Sequence, residues 1–187
     1  MIKAFYLDRR EVVELSIAIA ILTLIFSFVG TNFEPRILWV SFAGVALAFL
    51  LHELAHKYVA IKLGYNARFR LYPPSALLSI ILVFTGVKVA APGWVEIQPY
   101  KFNDWLYRRL KFSAEEIGII ALAGPLTNII LSIIFLLFGL DFFKQINAWI
   151  AFFNLLPIPP LDGSKILYWK FGGWAFFLIL SIILLIV

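Results

Sequence analysis

Five residues, His52-Glu53-Leu54-Ala55-His56, lie inside an apolar run that extends from Ile37 to about Leu63. No other feature restricts the fold as much. A charged group in the middle of an apolar span costs roughly 2.5–3.5 kcal/mol on insertion scales, so three ionisable side chains together require compensation. Residues four apart sit one turn above each other on the same helix face, which lets both imidazoles reach one metal ion. A metal takes the histidines neutral and attracts the carboxylate. Glu53, next to the first ligand, then stands beside a water at the metal and can take its proton, the arrangement that HExxH peptidases use. These are the only two histidines in the chain. The competing reading, histidines hydrogen-bonded in a helical core, leaves their position in an apolar span unexplained.

Composition sets the class. Hydrophobic residues make up 63% of the 187 and charged residues 14%, against roughly 25% charged in soluble domains. This predicts an all-α, multi-span membrane protein forming a single integral membrane domain over 1–187. The 19 Phe and 6 Trp suit a lipid-facing surface with interfacial anchors. With no cysteine, disulfides and thiolate ligands are excluded and any metal is held by N and O donors. The net charge of +5 is spread over loops and is read as topology. A nucleic-acid footprint would need a clustered basic surface, so no nucleic-acid partner is expected.

The first expected span covers about 12–30. Glu14 would interrupt a signal-peptide core, so it reads as a retained anchor helix. A turn at Gly30 to Arg36 leads into the motif helix, 37–63, stopped by Gly64. His52 lies about 11 residues before its end, roughly 16 Å at 1.5 Å per residue, so the site is below the surface. The apolar stretch Ala76 to Ala91 could be a further crossing. Charge favours another path, because Lys57, Lys62, Arg68 and Arg70 precede it while Lys101, Arg108, Arg109 and Lys111 follow it. The positive-inside rule wants both clusters on the cytoplasmic side. A re-entrant segment over 75–98 satisfies it, with a short helix at Ser75 to Thr85 and extended chain at Val87 to Gln98. Phe102 to Phe112 reads either as an interfacial aromatic-basic segment or as a polar loop.

A span over 114–140 opens with Glu115 and Glu116, which favour the helix dipole. Pro125 kinks it, Gly124 permits close packing, and Asn128 must face the protein interior to find partners. The next span, 145–157, meets Pro157, Pro159 and Pro160, which cannot continue a helix. The chain is therefore expected to unwind over 157–163 at membrane depth. Asp162 is the candidate third ligand, since catalytic zinc takes three protein ligands and the histidines are used up. Asn154, eight residues earlier, is a candidate to stabilise an oxyanion or hold the substrate backbone. A last span covers 169–187, starting at Trp169 or Phe171.

HELAH, then Ala123-Gly124-Pro125-Leu126-Thr127-Asn128, then Asn154 through Asp162-Gly163 together resemble the site-2 protease family of intramembrane zinc metalloproteases, over about Val45 to Lys170. The resemblance implies a three-helix catalytic core with flanking helices, and one Zn2+ per chain held at His52, His56 and Asp162. It implies Glu53 as catalytic base, Asn128 and Asn154 near the site, and transmembrane proteins as substrates. Many members have Asp-Gly-Gly where this chain has Asp162-Gly163-Ser164. There is no room for PDZ or CBS domains, so regulation by one in cis is not expected. The expected location is multi-pass in the cell membrane of a prokaryote, N-terminus cytoplasmic. Two rival functions are a membrane metal transporter and a catalytically inactive scaffold.

Overall fold

The computed structural model describes residues 6–98, 100–103, 106–109 and 113–187, with backbone alone over 100–103 and 106–109. Seven α-helices appear among them: α1 (Arg9–Phe26), α2 (Leu38–Lys62), α3 (Pro73–Val83), α4 (Ala114–Leu137), α5 (Asp141–Leu155), α6 (Asp162–Trp169) and α7 (Phe171–Ile186). Helix α2 packs between α1 and α4, while α4 also contacts α5 and α6, and α5 contacts α7. Two helical stretches, Pro35–Lys62 and Ala114–Leu137, are long and apolar enough to cross a membrane.

The helix ends follow their local chemistry. Asp8 caps α1, its carboxylate accepting from the Glu11 N–H at 2.8 Å. That bond and the nearby Arg68 hold the Asp8 carboxyl below its ordinary pKa. Ser113 and Glu116 form a capping box at the start of α4. Gly64, after α2, has a φ of +85°, the left-handed conformation that ends helices.

The fold is not purely helical. Among the described residues three two-stranded antiparallel ladders accompany the helices: β1 (Phe28–Val29) with β2 (Asn32–Phe33), β3 (Asn66–Leu71) with β4 (Gly93–Gln98), and β5 (Tyr100–Asn103) with β6 (Leu106–Arg109). In the second, Asn66 pairs with Gln98 and Leu71 with Gly93. Its outer edge on β3 is closed by α1. The Phe69 N–H donates to Glu11 Oε1 and the Leu71 N–H to Glu14 Oε2, both at 3.0 Å, and Arg68 pairs with Asp8 at 3.0 Å. Two carboxylates one turn apart on α1, Glu11 and Glu14, thus take the edge amides that a neighbouring strand would take, and the N-cap Asp8 holds the Arg68 side chain beside them.

Several expected boundaries are corrected. The first helix covers Arg9–Phe26 in place of 12–30, because Asp8 caps it early and the β1–β2 hairpin takes the residues after it. Asp141 to Lys144, which fall between the expected spans 114–140 and 145–157, form the first turn of α5; Gly139, at φ +67°, makes the reversal instead. Asp162 and Gly163 do not belong to the unwound stretch. They open α6, so the irregular segment is 156–161. The short helix is Pro73–Val83, and within Val87 to Gln98 regular strand begins only at Gly93. Part of the Phe102 to Phe112 segment lies outside the described residues.

Candidate metal centre

His52, Glu53 and His56 come from one face of α2, and Asp162 comes from the first turn of α6. All four side chains are buried. His52 Nε2 and His56 Nε2 are 3.0 Å apart, and Asp162 Oδ2 lies 3.5 Å from the first and 3.0 Å from the second. Three donors bound tetrahedrally to zinc at about 2.05 Å would stand about 3.3 Å apart. The observed triangle therefore has the dimensions of one zinc face.

Proton positions strengthen the fit. His56 Nδ1 lies 2.7 Å from the Ile120 carbonyl, which can only accept, so His56 is protonated on Nδ1. His52 Nδ1 lies 2.5 Å from Asn128 Oδ1. Asn128 is oriented by its other contacts, since its Nδ2 donates to Ala48 O and Asn147 Oδ1, each at 3.0 Å. His52 must therefore donate from Nδ1 as well. Both Nε2 atoms then point at each other and at a carboxylate oxygen, a cluster that needs a metal ion or a proton between its members. The second set of hydrogen bonds is of the kind that orients metal-bound histidines.

Two glycines make this approach possible. A Cβ on Gly124 would lie 2.6 Å from His52 Nε2 and closer still to His56 Nε2. One on Gly163 would run into the Leu155 carbonyl, where α6 folds back against the end of α5. The close packing expected at Gly124 is therefore against the imidazoles themselves.

Glu53 carries a buried carboxylate oxygen, Oε2, without a hydrogen-bond partner. Glu53 lines a cavity of about 670 Å³ together with His52, His56, Asp162 and Asn154, and with Gly93 to Ile97 of β4. Asn154, in the last turn of α5, donates from Nδ2 to the Ile150 carbonyl at 3.0 Å. Asn128 lines no part of this cavity and instead braces His52 from behind. Two participants escaped the sequence reading. Lys165 donates to Asp162 Oδ1 at 3.0 Å, leaving Oδ2 toward the histidines. Asn147, fully buried, holds Asn128. An amide inside an apolar stretch was the available signal for Asn147, the same one that singled out Asn128.

Fold and site together define a predominantly helical protein with a buried centre built from two histidines and an aspartate. The chain is 37% identical over 184 residues to "Putative zinc metalloprotease MJ0611" of Methanocaldococcus jannaschii, covering 91% of this chain and 90% of that protein. It is 34% identical over 149 residues to "Putative zinc metalloprotease YwhC" of Bacillus subtilis, covering 65% of this chain and 64% of that one. No protein-family model and no solved structure matches the chain. The chain belongs to the zinc metalloprotease family of these two relatives.

Proposed function

We propose that the chain is an intramembrane zinc metalloprotease of the site-2 type, which hydrolyses peptide bonds in or near the transmembrane segments of membrane proteins. The observation that carries this reading is a bare carboxylate oxygen on Glu53 beside three converging metal donors, all below the surface of an apolar helix. His52 is ten residues from the end of α2, about 15 Å. The apolar exterior supports membrane residence. Phe42 and Leu47 on α2, Ile130 and Ile134 on α4, and Ile179 and Ile183 on α7 are exposed to the surroundings, more apolar surface than a soluble monomer leaves bare. Helix α3, with 11 residues, is about 16 Å long, short of the roughly 30 Å of a bilayer core. That favours a re-entrant course for 75–98 over a further crossing.

In this reading His52, His56 and Asp162 hold zinc, which supplies a Lewis acid for the scissile carbonyl and an activated water. Glu53 takes the proton of the attacking water and delivers it to the leaving amine. Lys165 holds the aspartate by its outer oxygen. In the same reading Asn154 steadies the developing oxyanion or the substrate backbone through the hydrogen that Ile150 does not use. A helical substrate must first unwind, since its peptide bonds are closed by i to i−4 hydrogen bonds. Strand β4 then offers an edge on which the unwound segment adds as a strand, because the opposite edge of the ladder is already taken by α1.

The test pairs zinc analysis with cleavage of a single-span substrate in liposomes, on wild type and on Glu53→Gln. About one zinc in each, with cleavage lowered by roughly 10²–10⁴-fold in the variant, is the expected result. Equal cleavage by both would remove Glu53 from the mechanism, and a folded wild type without zinc would remove the metal centre.

A further inference from the structure

The polar contacts behind His52 form a chain with one direction. Asn147 Nδ2 donates to the Phe143 carbonyl at 2.9 Å, a helix carbonyl that cannot reverse its role. This turns Asn147 Oδ1 toward Asn128, whose Nδ2 donates to it at 3.0 Å. Asn128 Oδ1 is thereby turned toward His52 Nδ1. The other acceptor of Asn128, Ala48 O, sits four residues before His52 and so already takes the His52 N–H within the helix. A carbonyl has two lone pairs, so Ala48 O takes the Asn128 amide as well, and Asn147 Oδ1 is the second of the two acceptors that orient Asn128. It is completely buried, as is Asn128, so no water competes for these bonds.

We propose that Asn147 is a positioning residue for the metal centre, acting through Asn128 to keep His52 protonated on Nδ1 with its Nε2 lone pair free. This rests on the reading of His52 as a metal ligand. If Asn147 lost its acceptor, the orientation of Asn128 would rest on Ala48 O alone, and an amide that turned over would present a donor to His52 Nδ1. His52 would then carry its proton on Nε2, the atom that faces His56 and Asp162. His56 is exempt, because its tautomer is set by the backbone carbonyl of Ile120, which cannot turn over. Asn147 therefore controls one of two imidazoles that lie 3.0 Å apart.

With only two histidines in the chain, the full-length protein labelled with ¹⁵N-histidine gives two rings to read. The zinc-stripped protein reports the tautomers, and zinc affinity follows by competition with a chromophoric chelator. Wild type should show both rings protonated on Nδ1. In Asn147→Leu the His52 ring should move toward the Nε2–H form while His56 keeps its wild-type signals, and zinc affinity should fall by roughly 10–100-fold. Asn147→Asp, which keeps an acceptor toward Asn128 in either ionisation state, should restore both. An unchanged His52 ring in Asn147→Leu would overturn the proposal, and so would a common shift of both rings, which marks a general loss of packing. A wild type that has the expected tautomers but takes up no zinc would instead overturn the metal reading.

Discussion

At the scale of single residues, the centre depends as much on what is small as on what ligates. A Cβ at position 124 would intrude 2.6 Å from His52 Nε2, and alanine is a better helix former than glycine by about 1 kcal/mol. Gly124→Ala should therefore keep or raise helicity while zinc falls well below one per chain. Elemental analysis and circular dichroism on one sample decide it, and full zinc occupancy would show that α4 can recede without penalty. His52, Glu53 and His56 were readable because a spacing of four on a helix fixes geometry directly. Asp162 was readable by elimination, since no cysteine and no third histidine exist. Lys165 was not, because a lysine three residues from an aspartate is ordinary in sequence; its meaning comes only from the carboxylate oxygen it occupies.

At the scale of elements, the sequence hid β3 behind its charges. Ala67, Phe69 and Leu71 alternate with Arg68 and Arg70, and Ala67 and Phe69 are buried, a period-two pattern that marks a half-buried strand. The two arginines carry a topology signal as well, and it masks the alternation. Because the Phe69 and Leu71 amides go to α1 and the Tyr72 N–H donates to the Pro92 carbonyl, the alternation of an antiparallel ladder turns the amides of Val95 and Ile97 outward, away from β3. Proline at either position removes no bond to β3. Val95→Pro and Ile97→Pro should therefore bind zinc normally yet cleave a transmembrane substrate at least tenfold more slowly; normal cleavage would sink the strand-addition step. The docking of α1 is equally testable. Glu11 is buried, accepts the Phe69 N–H and pairs with Lys57 at 2.5 Å. Breaking a buried pair by removing one partner costs about 3 kcal/mol or more, so Glu11→Ala should lower the thermal midpoint in detergent measurably, while Arg10→Ala, whose side chain is largely exposed, should not.

At the scale of the whole molecule, the charge pattern and the fold bear on one question, the side of the membrane that each loop faces. Charge assigns the N-terminus and the basic 64–113 region to the cytoplasm, and Glu34, Arg36 and Asp141 to the outside. The helices are compatible with that assignment in one specific way: α2 and α4 are the long apolar pair, and between them the chain goes out along β3 and comes back along β4, whose Gln98 pairs with Asn66 just past the end of α2. An odd number of crossings in that interval would put Ser113 on the opposite side from Gly64. Since the chain has no cysteine, single cysteines report sidedness without background. Asn32, Leu140 and Ser113 are all exposed and belong to none of the site's contacts. Asn32→Cys and Leu140→Cys should react with a membrane-impermeant maleimide in intact cells, and Ser113→Cys only after permeabilisation. Reaction of Ser113→Cys in intact cells, with Asn32→Cys also labelled, would mean that 75–98 crosses the bilayer. The re-entrant course proposed for 75–98 would then fall, and the addition of the unwound substrate to β4 would have to be argued from a strand that crosses the bilayer.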